Sequence, residues 1–514
     1  MTSQPDILIL VLDTLRADRL RAYNSNRSVA PALDAFAEEA TVFRFAIAPS
    51  QWSIPSHASL FTGVYPSVHN TTQSNSVLPT TLPTLAERLR AAGYYTAAFC
   101  NNALVGVINN GLRRGFDSFL NYAGFWNSRP NQAGRHSGWF DRVRQSFKNL
   151  VTEVIGSIQD AFARSDFLFE LSLTPLFVPL WQTALSFKGS VRKSLDDAAR
   201  LLLQRKGVAP NQPIFAFVNL MGVHMPYHPP RPYIERFAPQ VLRDREASRY
   251  LRRFNTDAFG WLAPLAEPVP PEHKAVLDGM YDAEVAHQDY WVGAFFDRLQ
   301  QSGWLDRGMV IVLSDHGEHL GEHQLMGHSV SLYNELVRVP LIIRDGNGNF
   351  PRGSHVEHFV STRRIFHTAL HAAGAADATE AALSLAVDAS GTCAERGIAF
   401  SESIPAQNVL RMMRKRRPDL IRAHAMDQHR IAVCSEGHKL IQIGADRFEL
   451  YDLTADPEEQ HDLSQAQPER VAHMRQLIVD FVYRAGQISQ NSPITDEALS
   501  PVLAQRLRNL GYLD

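Results

Sequence analysis

Ser50-Gln51-Trp52-Ser53-Ile54-Pro55-Ser56-His57-Ala58-Ser59-Leu60-Phe61-Thr62-Gly63 is the stretch from which the rest of the chain can be read. Proline is favoured in the first turn of a helix, serine just ahead of it is a good cap, and glycine closes an apolar helical run. The stretch predicts a short helix with Ser53 at its N-terminus. Orphan backbone N–H groups and the macrodipole attract anions at such a point. A serine oxygen there would meet an anionic ester already held by backbone donors. Alternatively, Ser53 serves only as the cap.

Apolar runs on either side of this helix read as buried parallel strands: 7–12, 94–100, 213–220 and 308–313. In open α/β sheets, ligands bind beyond the carboxyl ends of the strands. The first of these ends delivers Asp13, the second Asn101 and Asn102, the third His224, and the fourth Asp315 and His316. Asp13 could also cap the next helix, and His224 could be a structural histidine in its Pro-rich loop. An imidazole titrates near neutrality, however, which suits proton transfer at a strand end. After Asp315 comes a dense titratable run: Glu318, His319, Glu322, His323 and His328.

Taken in order, four stretches resemble the signatures of the sulfatase family within the alkaline phosphatase superfamily. They are Asp13-Thr14-Leu15-Arg16-Ala17-Asp18, the Ser53-x-Pro55-Ser56-x-x-Ser59-Leu60-x-Thr62-Gly63 element, His224-Met225-Pro226-Tyr227, and Ser314 through His323. The resemblance runs from about residue 7 to the end, with a poorly matched insertion over 125–212. It implies an α/β, alkaline-phosphatase-like fold. A mixed, mostly parallel sheet would be sandwiched by helices, with a small C-terminal α+β subdomain. The expected boundaries are 1–424 for the catalytic part, including 125–212 as a helical cap, and 425–514 for the subdomain.

The resemblance also implies roles. Asp13, Ser53, Asp315 and His316 would hold one divalent cation. His316 stands where sulfatases often have Asn, and a nitrogen ligand shifts preference from Ca2+ toward Mn2+ or Zn2+. Thr14 replaces a second acidic ligand. Ser53 would be the nucleophile, His224 the general acid for the leaving oxygen, and His323 an auxiliary to the acid or a ligand to a second metal. His57, Asn102 and His328 would bind the substrate anion; His328 occupies a place where sulfatases often carry Lys. Sulfatases convert a Cys or Ser at the Ser53 position to formylglycine, guided by an Arg four residues on. Here that place is His57, so Ser53 is expected to stay serine, as in the phosphoglycerol transferases of the superfamily that attack phosphorus with an unmodified Ser or Thr beside an Asp-His pair; phosphonate monoester hydrolases share the Asp-His pair but use formylglycine.

The expected activity is metal-dependent hydrolysis of sulfate, phosphate or phosphonate esters. The alternatives are a phosphoglycerol- or phosphoethanolamine-type transferase, a formylglycine sulfatase, or a non-catalytic binding protein. The substrate is expected to be a small-molecule, saccharide or lipid-linked anionic ester.

Composition fits this picture. The 514 residues carry 51 Lys+Arg against 53 Asp+Glu, so no field favouring nucleic acid is expected. Cys100, Cys393 and Cys434 are far apart and indicate no disulfide framework. The apolar start at 7–12 lacks a basic flank and a cleavage site, and reads as a strand of a cytoplasmic protein rather than a signal peptide. Within the insertion, 140–164 has helical periodicity. Stretch 167–187 is nearly all apolar, but Pro175, Pro179 and Glu170 favour a buried cap over a membrane contact. Further strands are expected at 339–343, 398–401 and 449–453, a hairpin at 430–443, and helices at 281–299 and 469–485.

Overall fold

Ile7–Leu12 is fully buried and lies in the middle of a nine-stranded sheet. The structure is a computed structural model, and it describes residues 4–24, 26, 29–106, 108–122, 188–256, 261–328 and 330–490. Ile7–Leu12 pairs in parallel with Ile214–Leu220 on one side and Met309–Leu313 on the other. Ile214–Leu220 in turn pairs in parallel with Tyr95–Cys100, which pairs with Ser118–Asn121. Leu341–Asp345 runs antiparallel between Met309–Leu313 and Thr41–Ile47, and Ser354–Ser361 closes that edge in parallel with Thr41–Ile47. The sheet is mixed and mostly parallel, as expected.

Side chains alternate across each strand, so one run of residues feeds two cores. Leu8, Leu10 and Leu12 join Ala216 and Val218 under the 31-residue helix Pro271–Gln301. Ile7, Ile9 and Val11 join Phe215 and Phe217 under the helices Ser53–Thr62, Leu85–Ala91 and Ile365–Ala372. Burial on both faces explains why these strands read as continuous apolar runs.

A second sheet of four antiparallel strands, Ala399–Ser403, Arg430–Ser435, His438–Ile443 and Arg447–Asp452, carries the helix Pro468–Gln490. Its first strand lies ahead of the boundary expected at 425. The hairpin expected at 430–443 forms, with pairing from Arg430 opposite Ile443 to Ser435 opposite His438. Among the described residues, no helix is long and apolar enough to cross a membrane. The 140–164 and 167–187 expectations lie outside the described residues, as do the last residues of the chain.

Candidate active site

Four adjacent parallel strands end on the same edge of the sheet, and each contributes to one cluster. Asp13 follows Leu12 and is tied there by its backbone N–H to Leu220 O, 2.9 Å. Asp315 and His316 follow Leu313, and Asn101 and Asn102 follow Cys100. Ser53 arrives from the opposite layer as the first residue of the helix Ser53–Thr62. Trp52 holds the cap position, and no side chain makes a capping bond. Ser53 is therefore released from the capping role that the sequence alone allowed. Gly63 ends the helix in the left-handed conformation (φ 73°), which a Cβ would disfavour.

The cluster is closely connected. Ser53 Oγ lies 3.3 Å from His316 Nε2 and accepts a 3.1 Å hydrogen bond from Asn102 Nδ2. Asn102 Nδ2 also donates to Asp13 Oδ2 at 2.7 Å. His316 Nε2 is 3.4 Å from Asp315 Oδ2 and 4.0 Å from Asp13 Oδ1. His57, wholly buried, has Nδ1 at 2.8 Å from Ser53 O and 3.4 Å from Asp315 Oδ2, and it receives Asn219 Nδ2 on Nε2 at 3.3 Å. His57 thus braces the turn that carries Ser53 from behind. Ser56 Oγ donates to Asp315 O at 2.6 Å and ties the helix to the opposing loop.

These residues fit a cation. His316 Nδ1 donates to Gly317 O at 2.9 Å, which leaves the Nε2 lone pair facing two carboxylates. Asp13 Oδ1 and Asp315 Oδ2 are buried and without hydrogen-bond partners. Burial, and for Asp13 the charge of Asp315, pushes both carboxyls up. Burial, reinforced by His328, lowers His316 to about 4 and keeps it neutral. A lone pair and two orphaned oxygens turned toward one point repel one another unless a positive charge sits between them. The ligand atoms of Asp13, Asp315 and His316 all lie within 4.8 Å of one another.

A second group borders the first. His328 lies with its ring centroid 4.8 Å from those of His224 and His316. Its Nδ1 is bonded to Glu318 Oε1 at 2.9 Å, while Glu318 Oε2 accepts from Met225 N at 3.1 Å and from the Tyr227 hydroxyl at 3.2 Å. Burial, then His328, lowers His224 to about 4. Burial opposes protonation of His328 too, but the bond and charge of Glu318 outweigh it and raise His328. Glu318 is fully buried, yet His328 holds it at about 2.

Of the residues expected to act, Asp13, Ser53, Asp315, His316, Asn102 and His57 form one connected group, and His224 and His328 stand beside it. His323 is carried elsewhere. Its ring stacks on Tyr333 (centroids 3.8 Å) and faces Glu335 at 3.6 Å, against the second sheet. The left-handed backbone of His323 (φ 54°) and Gln324 (φ 58°) turns the chain aside after Gly321. Asn219, Glu318 and Tyr281 were not anticipated. Tyr281 accepts from Arg16 N (2.9 Å) and donates to Thr14 O (2.7 Å), which supports the left-handed turn at Thr14 directly after Asp13. A signal for Asn219 existed: it is the lone polar residue in the strand Ile214–Leu220.

The chain matches the Sulfatase family model over residues 5–375. It is similar to an arylsulfatase of Clostridium perfringens (strain 13 / Type A), 23% identical over 360 residues, covering 68% of this chain and 70% of the relative. It is also similar to the multifunctional alkaline phosphatase superfamily protein PehA of Trinickia caryophylli, 25% identical over 413 residues, covering 72% and 73%. Among solved structures it shares its fold with the phosphonate monoester hydrolase of Agrobacterium radiobacter, with a TM-score of 0.63, 20% identity, and coverage of 94% and 96%. One family model spans most of the sequence, and it contains every strand end that feeds the Asp13–Ser53–His316 cluster: this chain belongs to the sulfatase family.

Proposed function

We propose that this sulfatase-family hydrolase cleaves phosphate, phosphonate or sulfate esters through Ser53 as an unmodified nucleophile. The observation that carries the reading is the convergence on Ser53 Oγ of His316 Nε2 at 3.3 Å and Asn102 Nδ2 at 3.1 Å, beside two orphaned carboxylate oxygens. A divalent cation held by Asp13, Asp315, His316 and the Ser53 oxygen, manganese in our reading, would lower the pKa of that hydroxyl and draw charge off the transferring group.

Ser53 enters as the alkoxide, its proton released to solvent. A bond forms from Oγ to the phosphorus or sulfur as the bond to the leaving alcohol oxygen breaks. The proton for that oxygen comes from the His224–His328 pair. In the resting site it resides on His328, because Glu318 favours its charged form while burial keeps His224 neutral. Water then attacks the ester on Ser53, gives a proton back to the imidazole pair, and releases Ser53. A serine sulfate lacks the hemiacetal route that formylglycine offers for release, so an unmodified Ser53 favours phosphorus over sulfur. Phosphonate monoesters, the substrates named for the structural neighbour in Agrobacterium radiobacter, are the first class to try.

The test is hydrolysis of matched nitrophenyl sulfate, phosphate monoester, phosphate diester and phosphonate monoester by wild type and Ser53→Ala with manganese present. Phosphonate or phosphodiester turnover that falls at least about a thousandfold in Ser53→Ala is expected. Turnover that survives in Ser53→Ala overturns the assignment.

A further inference from the structure

Away from the Asp13 cluster, another group among the described residues gathers candidate ligand atoms without hydrogen-bond partners. His323 Nε2, Glu335 Oε2 and Glu459 Oε1 are each buried without a hydrogen-bond partner. Ligand atoms of these residues lie within 4.8 Å of one another. His323 Nε2 and Glu335 Oε2 are 3.6 Å apart, beyond hydrogen-bond length but close to the edge of a coordination polyhedron with bonds of about 2.1 Å. The Glu335 side chain is 6% exposed and that of Glu459 is 0% exposed.

The three residues come from separate places: the turn after Gly321, the short helix Asn334–Val337, and the turn that follows the strand Arg447–Asp452. Two of them occupy the left-handed region, His323 at φ 54° and Glu459 at φ 54°. Non-glycine residues persist there when the surroundings over-determine them, and such positions gather at functional sites. A cavity lined by Tyr333, Arg430, Arg447 and Glu449 also reaches His323.

Charge points the same way. Lys439 is wholly buried and forms an ion pair with Glu459 Oε1 at 2.7 Å, and it donates to Leu332 O at 3.0 Å and Asn334 Oδ1 at 2.8 Å. Lys439 pairs with Glu459, while Glu335 turns toward the His323 imidazole nitrogen and also feels the charge of Arg16.

We propose that His323, Glu335 and Glu459 form a second divalent-cation site that pins the C-terminal sheet to the catalytic part. One imidazole and two carboxylates suit zinc or manganese better than calcium. The site is separate from the Asp13 cluster and does not depend on it.

The experiment is elemental analysis of wild type, Asp315→Asn, His323→Ala and Glu459→Gln. Each is loaded with zinc or manganese and dialysed against metal-free buffer, with circular dichroism to check folding. Two equivalents are expected in wild type. Asp315→Asn should keep one, and His323→Ala and Glu459→Gln should each lose one. Cobalt loaded into Asp315→Asn should give a visible d–d spectrum that the added His323→Ala change abolishes. A folded Asp315→Asn protein that holds no metal overturns the proposal, as does a His323→Ala protein with the wild-type metal content; a proton on His323 would then neutralise Glu335. Loss of the Asp13 metal alone would leave the second site standing.

Discussion

His316 presents Nε2 to Ser53 Oγ at 3.3 Å while its Nδ1 donates to Gly317 O at 2.9 Å. The backbone carbonyl fixes the tautomer, so a lone pair rather than a proton faces Ser53, Asp13 and Asp315. A cation between these atoms would offset their mutual repulsion. Removal of metal by a chelator should therefore abolish ester hydrolysis, and added manganese should restore it. Full activity in protein shown by elemental analysis to be metal-free would contradict this.

Asn102 is the shared donor of the cluster, with one amide nitrogen on both Asp13 Oδ2 and Ser53 Oγ. Asn102→Ala leaves both oxygens without that donor. The expected result is a loss in kcat/KM of about 10- to 100-fold, with weaker metal retention, by analogy with groups that orient metal ligands. Steady-state kinetics alongside metal titration would check it; unchanged values for both would remove Asn102 from the site.

Glu318 links His328 to the loop carrying His224. In Glu318→Gln the carboxylate charge that raises His328 is gone, so His328 loses its proton at lower pH. The alkaline limb of the kcat profile should move to lower pH, and the rate above neutrality should fall about 100-fold. A pH–rate profile of unchanged shape would show that His328 does not carry the proton.

Gly317 follows the Asp315-His316 pair, and the reason for a glycine there is steric. A Cβ at this position would sit 1.9 Å from the backbone oxygen of Glu335. Gly317→Ala should cost about 1–3 kcal/mol, the range typical of overpacking, and should displace His316. Urea denaturation would measure the first effect and residual activity the second.

Much of this was legible in the sequence, and for identifiable reasons. The strands at 7–12, 214–220 and 309–313 are buried on both faces, so their apolar runs and the polar residues just beyond them stood out. The long helix was only partly visible: 281–299 showed its pattern, but the element begins at Pro271, whose place in the first turn is a start signal of its own. His323 was misleading because it is five residues from His328 in a run of titratable groups, and only the left-handed turn at 323–324 separates their destinations. Glu318 hid in that same run. Its role depends on Met225 and Tyr227, nearly a hundred residues away, which no local pattern records.

Asp388 gives a stability test away from the active site. It is bonded to His358 at 2.7 Å and to the fully buried Arg364. Burial alone would raise its carboxyl, but these two partners outweigh burial and hold it below the ordinary value of 3.8. A folded pKa below the unfolded one gives a contribution that is full above the unfolded value and is lost as pH falls through the folded value. Asp388→Asn should cost about 3 kcal/mol near neutrality, because Arg364 loses its hydrogen-bonded carboxylate and keeps only the Glu395 carboxylate at 3.7 Å. The gap from wild type should narrow as pH falls below about 4. Denaturant melts of both proteins across that range would show a constant gap if the ion pair is unimportant.

The central claim is that Ser53 acts as a serine. The mass of the peptide containing residue 53, taken from protein that is turning over ester, tests it most directly. The unmodified serine mass is expected, together with activity that disappears in Ser53→Ala. A peptide lighter by two hydrogen atoms, the mark of formylglycine, in the active protein would contradict it.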